Sequence, residues 1–409
     1  MLIDRAPVLP ARPDGRADEK PAVSANIGTI RQSTDALALY IHWPFCVSKC
    51  PYCDFNSHVR STIDQHAWRD ALLADLAYEA RLLPGRRLTS IFFGGGTPSL
   101  IDPATVAALI AAARNHWSSD EDLEITLEAN PNSVEAARFA DLAAAGVNRL
   151  SLGLQSFDDT SLAFLGRAHS AREGQAALDI AQAHFERVSF DLIYALPGNT
   201  EAGWSATLDR ALALSTGHLS LYQLTIEPGT RFAAMHAAGK LDPLDPDRAA
   251  DLFELTAERT KAAGIPAYEI SNHARPGAES RHNLTYWRYG DYAGVGPGAH
   301  GRRLGHRTVR HRKPENFLAG LVRNGHGMVE EELLLPAEAA DEALVMGLRL
   351  AEGIDADALA ARVGKPLVDW RSVDRLVASG HLVRTGSRIR TTPAGRLLLD
   401  RVLGEIAHG

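Results

Sequence analysis

From about residue 37 the chain alternates short apolar runs with longer stretches of helical period. Six runs, at 37–42, 90–93, 123–128, 149–154, 188–194 and 219–226, are strand-like, and each is followed by an amphipathic stretch. The stretches between them carry helix end signals: Asp102 with Pro103 at the first helical position, Ser133 as an N-cap with Gly146 past the far end, and Ser170 with Glu173 as a capping box. Six successive βα units predict an α/β fold with a parallel sheet, helices outside it and ligands at the carboxyl ends of the strands. From about residue 336 the pattern changes to amphipathic helices at 341–350 and 371–378, then a hairpin around Gly386. This tail reads as a C-terminal, mainly helical, winged-helix-like domain that covers the open face of the sheet. Residues 1–36, rich in Pro, Ala, Arg and Asp and without periodicity, read as a flexible extension. The expected division is therefore 1–36, a barrel part over 37–235, an extension over 236–335 and the tail over 336–409.

Polar residues terminate the apolar runs where ligands are expected. Phe92-Phe93-Gly94-Gly95-Gly96-Thr97-Pro98 follows the second run, and glycines there let backbone approach a partner without a Cβ in the way, although a tight turn is the plain alternative. Glu128 ends the third run and Gln155 the fourth, with Arg167 following in Gly166-Arg167-Ala168-His169 and Asp191 lying in the fifth. Any one of these is by default a structural ion-pair residue; their succession across five strands points to a ligand site.

Charge and length narrow the class. With 43 Lys and Arg against 50 Asp and Glu, the net charge of −7 disfavours a general nucleic-acid binder and a DNA-binding use of the wing. Arg302-Arg303 and the stretch from Arg307 to Lys313 are left as local anion-site candidates. No apolar run approaches the roughly 18 residues of a membrane helix, and no secretory h-region is present, so a cytoplasmic protein is expected.

All 3 cysteines lie together, in Tyr40-Ile41-His42-Trp43-Pro44-Phe45-Cys46-Val47-Ser48-Lys49-Cys50-Pro51-Tyr52-Cys53-Asp54-Phe55. An odd number leaves one unpaired in any disulfide scheme. A structural zinc would need His42 or His58 to complete a tetrahedron of four ligands. Three thiolates at C-x3-C-x2-C spacing can instead hold three irons of a [4Fe-4S] cubane and leave the fourth open to a small molecule.

That spacing, with Tyr52 before the last cysteine, resembles the radical S-adenosylmethionine (SAM) superfamily. Tyr-x-His-x-Pro-Phe-Cys at 40–46, Gly-Gly-Gly-Thr-Pro at 94–98, the run 148–157 and Asp-Leu-Ile-Tyr-Ala-Leu-Pro-Gly at 191–198 resemble the oxygen-independent coproporphyrinogen III oxidase family, with its HemN and HemW branches. The resemblance implies a partial (β/α)6 radical SAM barrel and a cluster on Cys46, Cys50 and Cys53. It also implies SAM held by Tyr40, Gly95, Gly96, Thr97, Glu128, Gln155, Arg167 and Asp191. HemN-type sequences continue to a fourth cysteine where this chain has Phe55, and the N-terminal arm of that branch is not evident. Arg281-His282-Asn283-Leu284-Thr285-Tyr286-Trp287 contains the H-N-x-x-Y-W motif of the HemW branch, which makes His282, Tyr286 and Trp287 haem-pocket candidates. His282 is open to two readings, an iron ligand or a hydrogen-bonded core residue, and so is His300 in the glycine loop 294–301.

The implied function is a haem chaperone that passes haem to acceptor proteins, membrane-associated ones included, and draws on an electron donor if SAM is cleaved. The alternative is a dehydrogenase in which SAM cleavage yields a 5′-deoxyadenosyl radical that attacks coproporphyrinogen propionates; which of the two makes the chain an enzyme stays open. A zinc-stabilised binding module is the third reading.

Overall fold

The computed structural model describes residues 35–214 and 216–408, so the extension expected over 1–36 lies, apart from its last two residues, outside the described residues. The six anticipated strands are β1 (Ala36–Trp43), β2 (Arg87–Gly95), β3 (Ser118–Ala129), β4 (Arg149–Gln155), β5 (Arg187–Tyr194) and β6 (Gly217–Gln223). They pair in parallel in chain order, which is the partial barrel that the resemblance implies.

Side chains alternate along these strands. Outward positions such as Leu39, Ile41, Ile91, Phe93, Ile125, Leu127, Leu150, Leu152, Phe190 and Leu192 are buried in one apolar core. Helices Gln65–Leu82, Pro103–His116 and Ala171–His184 contribute Leu72, Leu76, Leu109 and Leu178 to the same core. Inward positions are polar: Glu128, Arg149, Ser151, Gln155, Asp191 and Ser220 line an open interior. A closed eight-stranded barrel fills that space with branched apolar side chains; here the inward polarity keeps it available for a ligand.

Two end signals hold as read, Asp102 accepting from Ala104 N and Ser170 forming a reciprocal box with Glu173. The third shifts by one residue. Asn132, not Ser133, caps the helix Ser133–Ala136, which breaks before a second helix, Phe139–Ala144. The reason is local, because the Asn132 side chain accepts from Glu135 N and also donates to the Glu135 carboxylate.

The sheet extends past the six strands. β7 (Asn272–Ala274) adds antiparallel to β6, while β8 (Tyr292–Val295) pairs parallel with β1 and continues antiparallel into β9 (His300–Arg303), β10 (His306–Arg310) and β11 (Met328–Leu333). This extension absorbs the arginines anticipated as anion sites. Arg310, fully buried, pairs with Asp75 at 3.2 Å and Glu79 at 2.6 Å; Arg303 pairs with Glu79 at 2.7 Å and Glu331 at 2.8 Å; Arg307 pairs with Glu332 at 2.7 Å. Arg302 lies 3.7 Å from the Tyr289 ring centroid. Arg302, Arg303, Arg307 and Arg310 are thus paired within the fold, Arg302 also with Glu342, whereas Arg312 and Lys313 remain exposed.

Helix Arg281–Trp287, which carries the H-N-x-x-Y-W motif, is seated against the inner face of the barrel. Ser280 caps it, and Glu124 of β3 accepts from the backbone N–H groups of Arg281 and His282, both at 3.1 Å. The C-terminal region has its own core, including Val373, Leu376, Leu382, Ile389, Val402 and Leu403. Its helices Pro336–Gly347, Ala356–Val363 and Trp370–Ala378 pack with a three-stranded sheet of Ile354–Asp355, Arg388–Thr391 and Leu382–Thr385, a winged-helix-like arrangement. Trp287 and Tyr286 meet Met346 and Leu350 where this region joins the barrel. Among the described residues, no helix is long and apolar enough to cross a membrane.

Candidate functional site

The cysteines sit on a loop at the end of β1. Phe45 and Cys46 pair in parallel with His58 and Val59, which closes the loop, and Cys53 N donates to Cys50 O at 3.1 Å. Glycines hold the loop from two sides. A Cβ at Gly96 would stand 2.6 Å from Phe45 O and 3.0 Å from Cys46 Sγ, and one at Gly95, whose φ is +114°, 2.6 Å from the His42 ring. On the other side, a Cβ at Gly296 would meet His42 O at 2.4 Å and one at Gly298 the Asn56 amide at 2.3 Å. The loop 294–301 is thus a backbone contact surface behind the cysteines.

The thiols are free and partly buried. Cys46 Sγ accepts from the Thr97 hydroxyl and Cys50 Sγ from the Arg167 guanidinium, both at 3.4 Å. Burial raises the Cys46 thiol above its ordinary range and pushes Cys53 up to about 11. Both histidines that a zinc tetrahedron would call on are engaged. His42 bonds Tyr40 Oη through Nδ1 and Asn56 O through Nε2, each at 2.9 Å, while His58 Nε2 lies 3.3 Å from Asn56 Oδ1 and from Arg312 O. Among the described residues, no three His, Cys, Asp or Glu side chains converge as ligands of a single ion do. Thiols set apart on a glycine-cradled loop, with donors to two of the sulfurs, fit the corners of a cubane better than one ion.

The cysteines open onto a cavity of about 490 Å³. Tyr40, Gly95, Gly96, Thr97, Glu128, Gln155, Arg167 and Asp191, anticipated from six separate segments, all line it. Glu128 accepts from Gly95 N at 3.2 Å and so braces the glycine turn. Gln155 has a left-handed backbone, φ 66°, where a residue with a Cβ is disfavoured; such strain at the end of a strand aims a side chain. Arg167 donates to Asn130 Oδ1 at 2.6 Å and Gly153 O at 2.9 Å, which fixes its guanidinium over Cys50. Asp191 lies deep in the cavity, where burial raises its carboxyl to about 6 against the pull of the Ser220 hydroxyl and Arg149.

Sequence reasoning missed a second layer. Asn130, two residues past Glu128, donates to Thr97 Oγ1 at 3.2 Å and is held by Glu135, whose carboxylate also accepts from Ser99 and Asn132. Its place just past a strand end was the available signal. Arg149, Tyr222, Glu269 and Arg349 also line the cavity, and Arg349 comes from a different part of the chain, beyond the reach of any local pattern. It is the one lining residue after 336 among those described, so the tail supplies part of the wall and no cover.

The H-N-x-x-Y-W residues divide. Tyr286 and Trp287 line the cavity with Asn283, but His282 does not. His282 is 2% exposed, bonds Ser90 Oγ through Nδ1 at 3.0 Å and stacks on Phe92 at 4.9 Å between centroids. Burial lowers it to about 4, so it is neutral at physiological pH. Its place is that of a hydrogen-bonded core residue that seats the helix.

Known proteins bear on this geometry. The model of the radical SAM superfamily matches residues 40–211 and that of the HemN C-terminal domain residues 334–398. The chain is 38% identical over 378 residues to the "Heme chaperone HemW" of Escherichia coli, covering 90% of this chain and 97% of that one. It is 44% identical over 326 residues, 78% of this chain and 74% of the other, to the bovine "Radical S-adenosyl methionine domain-containing protein 1, mitochondrial". The solved coproporphyrinogen III oxidase HemN of E. coli superposes with a TM-score of 0.75 at 24% identity, over 91% of this chain and 89% of that one, a likeness of fold.

Proposed function

Because the chain belongs to the HemW family of radical SAM proteins, we propose that it is a haem chaperone, binding haem and passing it to acceptor proteins with a SAM-bound [4Fe-4S] cluster as cofactor. The observation that carries this reading is one cavity that joins the cysteine loop to the aromatic wall of the H-N-x-x-Y-W helix. Cys46, Cys50 and Cys53 would hold the cluster, Thr97 and Arg167 steadying two of its sulfurs. The chemistry such a cluster supplies, when it carries SAM and is reduced by an outside electron donor, is one-electron cleavage of the sulfonium bond.

The protein's own part is to bind and orient. Gly95, Gly96, Thr97 and Glu128 would meet the methionine moiety of SAM, Gln155, Arg167 and Asp191 would complete its pocket toward the carboxylate and ribose, and Tyr40 would pack on the cluster and sulfonium side. Tyr286 and Trp287, their ring planes inclined at 59°, give an aromatic corner against which a macrocycle packs. Iron ligation by His282 would require Ser90 to release it and the helix to shift, so another side chain is the better ligand. A reducing compartment such as the cytoplasm suits three free thiols. The acceptors, whether soluble or membrane-associated, are haem proteins by the same reading.

Haem titration of the anaerobically reconstituted protein, followed by absorbance, tests this. One haem per chain is expected, with affinity at least tenfold weaker in Trp287→Ala and an unchanged spectrum in His282→Ala. Binding that never saturates would overturn the proposal.

A further inference from the structure

Arg349 follows helix Pro336–Gly347 and enters the barrel cavity from the C-terminal region. Its guanidinium carbon lies 5.1 Å from the Trp287 ring centroid. Buried Arg349 Nε has no hydrogen-bond partner among the described residues, and the carboxylates that act on its guanidinium, Glu269 and Asp400, do so through space without bonding it. Glu269, which acts on it through space, already accepts from Ile270 N at 2.7 Å, Ser271 N at 2.9 Å and the Asn272 amide at 2.6 Å. The indole Nε1–H of Trp287 is likewise buried without an acceptor.

An unpaired cation in a partly dry cavity is costly unless something completes it. Burial lowers the Arg349 pKa for the same reason, though not far enough to discharge a guanidinium. A guanidinium that lines the cavity over the Trp287 ring, with no carboxylate among the described residues bonded to it, describes a receptor for an anion carried on an apolar body. A carboxylate suits it, since a guanidinium offers two parallel N–H bonds.

We propose that Arg349, set over the Trp287 ring, is a carboxylate clamp that takes a propionate of the bound tetrapyrrole. The clamp rests on the haem reading above. The other carboxylate source in the same cavity is the methionine end of SAM, and the two are separable.

The full-length reconstituted protein, the parent, Arg349→Met and Arg349→Lys, is titrated with haem, with haem dimethyl ester, whose propionates are neutral, and with SAM. In Arg349→Met haem affinity is expected to fall at least tenfold, while affinity for the ester and for SAM matches the parent. Arg349→Lys, which keeps the charge but not the fork, retains part of the preference for haem over ester. Equal loss of haem and ester would make Arg349 a packing residue, and loss of SAM with haem retained would assign the clamp to SAM; either overturns the proposal. So would equal haem affinity in parent and variants. A parent that binds neither haem nor ester overturns the haem reading itself, whatever the variants do. Thermal midpoint and iron content of each variant report folding independently.

Discussion

A single methyl group at Gly96 would press on Phe45 O and Cys46 Sγ at once. Gly96→Ala is therefore expected to destabilise the protein by about 1–3 kcal/mol and to lower iron incorporation, read by denaturation and by iron and sulfide analysis; full incorporation would show that the loop yields freely. Replacing Cys46, Cys50 or Cys53 by Ser should abolish a stable cubane outright, whereas a tightly bound zinc in the parent would contradict the cluster. Asp191 gives a test with a sign. Its folded pKa, raised to about 6 by burial, lies above the unfolded value of about 3.9, so its contribution to stability is full below pH 4 and is lost as pH rises through 6. A rise of that size is worth about 3 kcal/mol. Apo Asp191→Asn should thus gain on the parent between about pH 4 and 6, while losing SAM affinity and keeping its iron content. Parallel pH profiles would refute this. These positions were legible because each ends a strand or interrupts one; for His282 the ligand and core readings both stayed open, since a motif shows spacing but not which face of a helix a partner such as Ser90 claims.

The helix Arg281–Trp287 depends on one carboxylate of β3. Glu124 is fully buried, meets Arg187 at 2.8 Å and accepts two backbone N–H groups of that helix. Burial alone would raise its pKa, yet Arg149 and Arg187 hold it below the ordinary range. Glu124→Ala leaves Arg187 without its partner and is expected to cost about 3–5 kcal/mol, seen as a lowered unfolding midpoint, and to weaken haem binding with it. A midpoint unchanged within error would mean that the helix is held by apolar packing alone. Strands were readable at this scale because outward positions are apolar without exception along β1, and their ends moved by only a few residues. The shift of the cap from Ser133 to Asn132 was not readable, because it depends on Asn132 and Glu135 bonding each other.

Across the whole molecule, the parallel barrel followed from repetition of one pattern, and the winged-helix-like tail from another. What the pattern could not carry was the junction between them. The tail meets the barrel through Met346, Leu350 and Arg349 against Tyr286 and Trp287, contacts between residues some 60 positions apart that leave no periodic trace. The pairing of Arg303 and Arg310 with Asp75 and Glu79 was unreadable for the same reason, those carboxylates lying on a helix more than two hundred residues earlier. A cavity that holds haem as cargo and does not process a porphyrinogen is distinguished from a catalytic one by product analysis of a single anaerobic reaction. Reconstituted protein, haem, coproporphyrinogen III, SAM and a reductant are incubated together, and the tetrapyrroles are separated into protein-bound and free pools. One haem retained per chain and coproporphyrinogen recovered unchanged are expected; protoporphyrinogen formed over many turnovers would contradict the chaperone role.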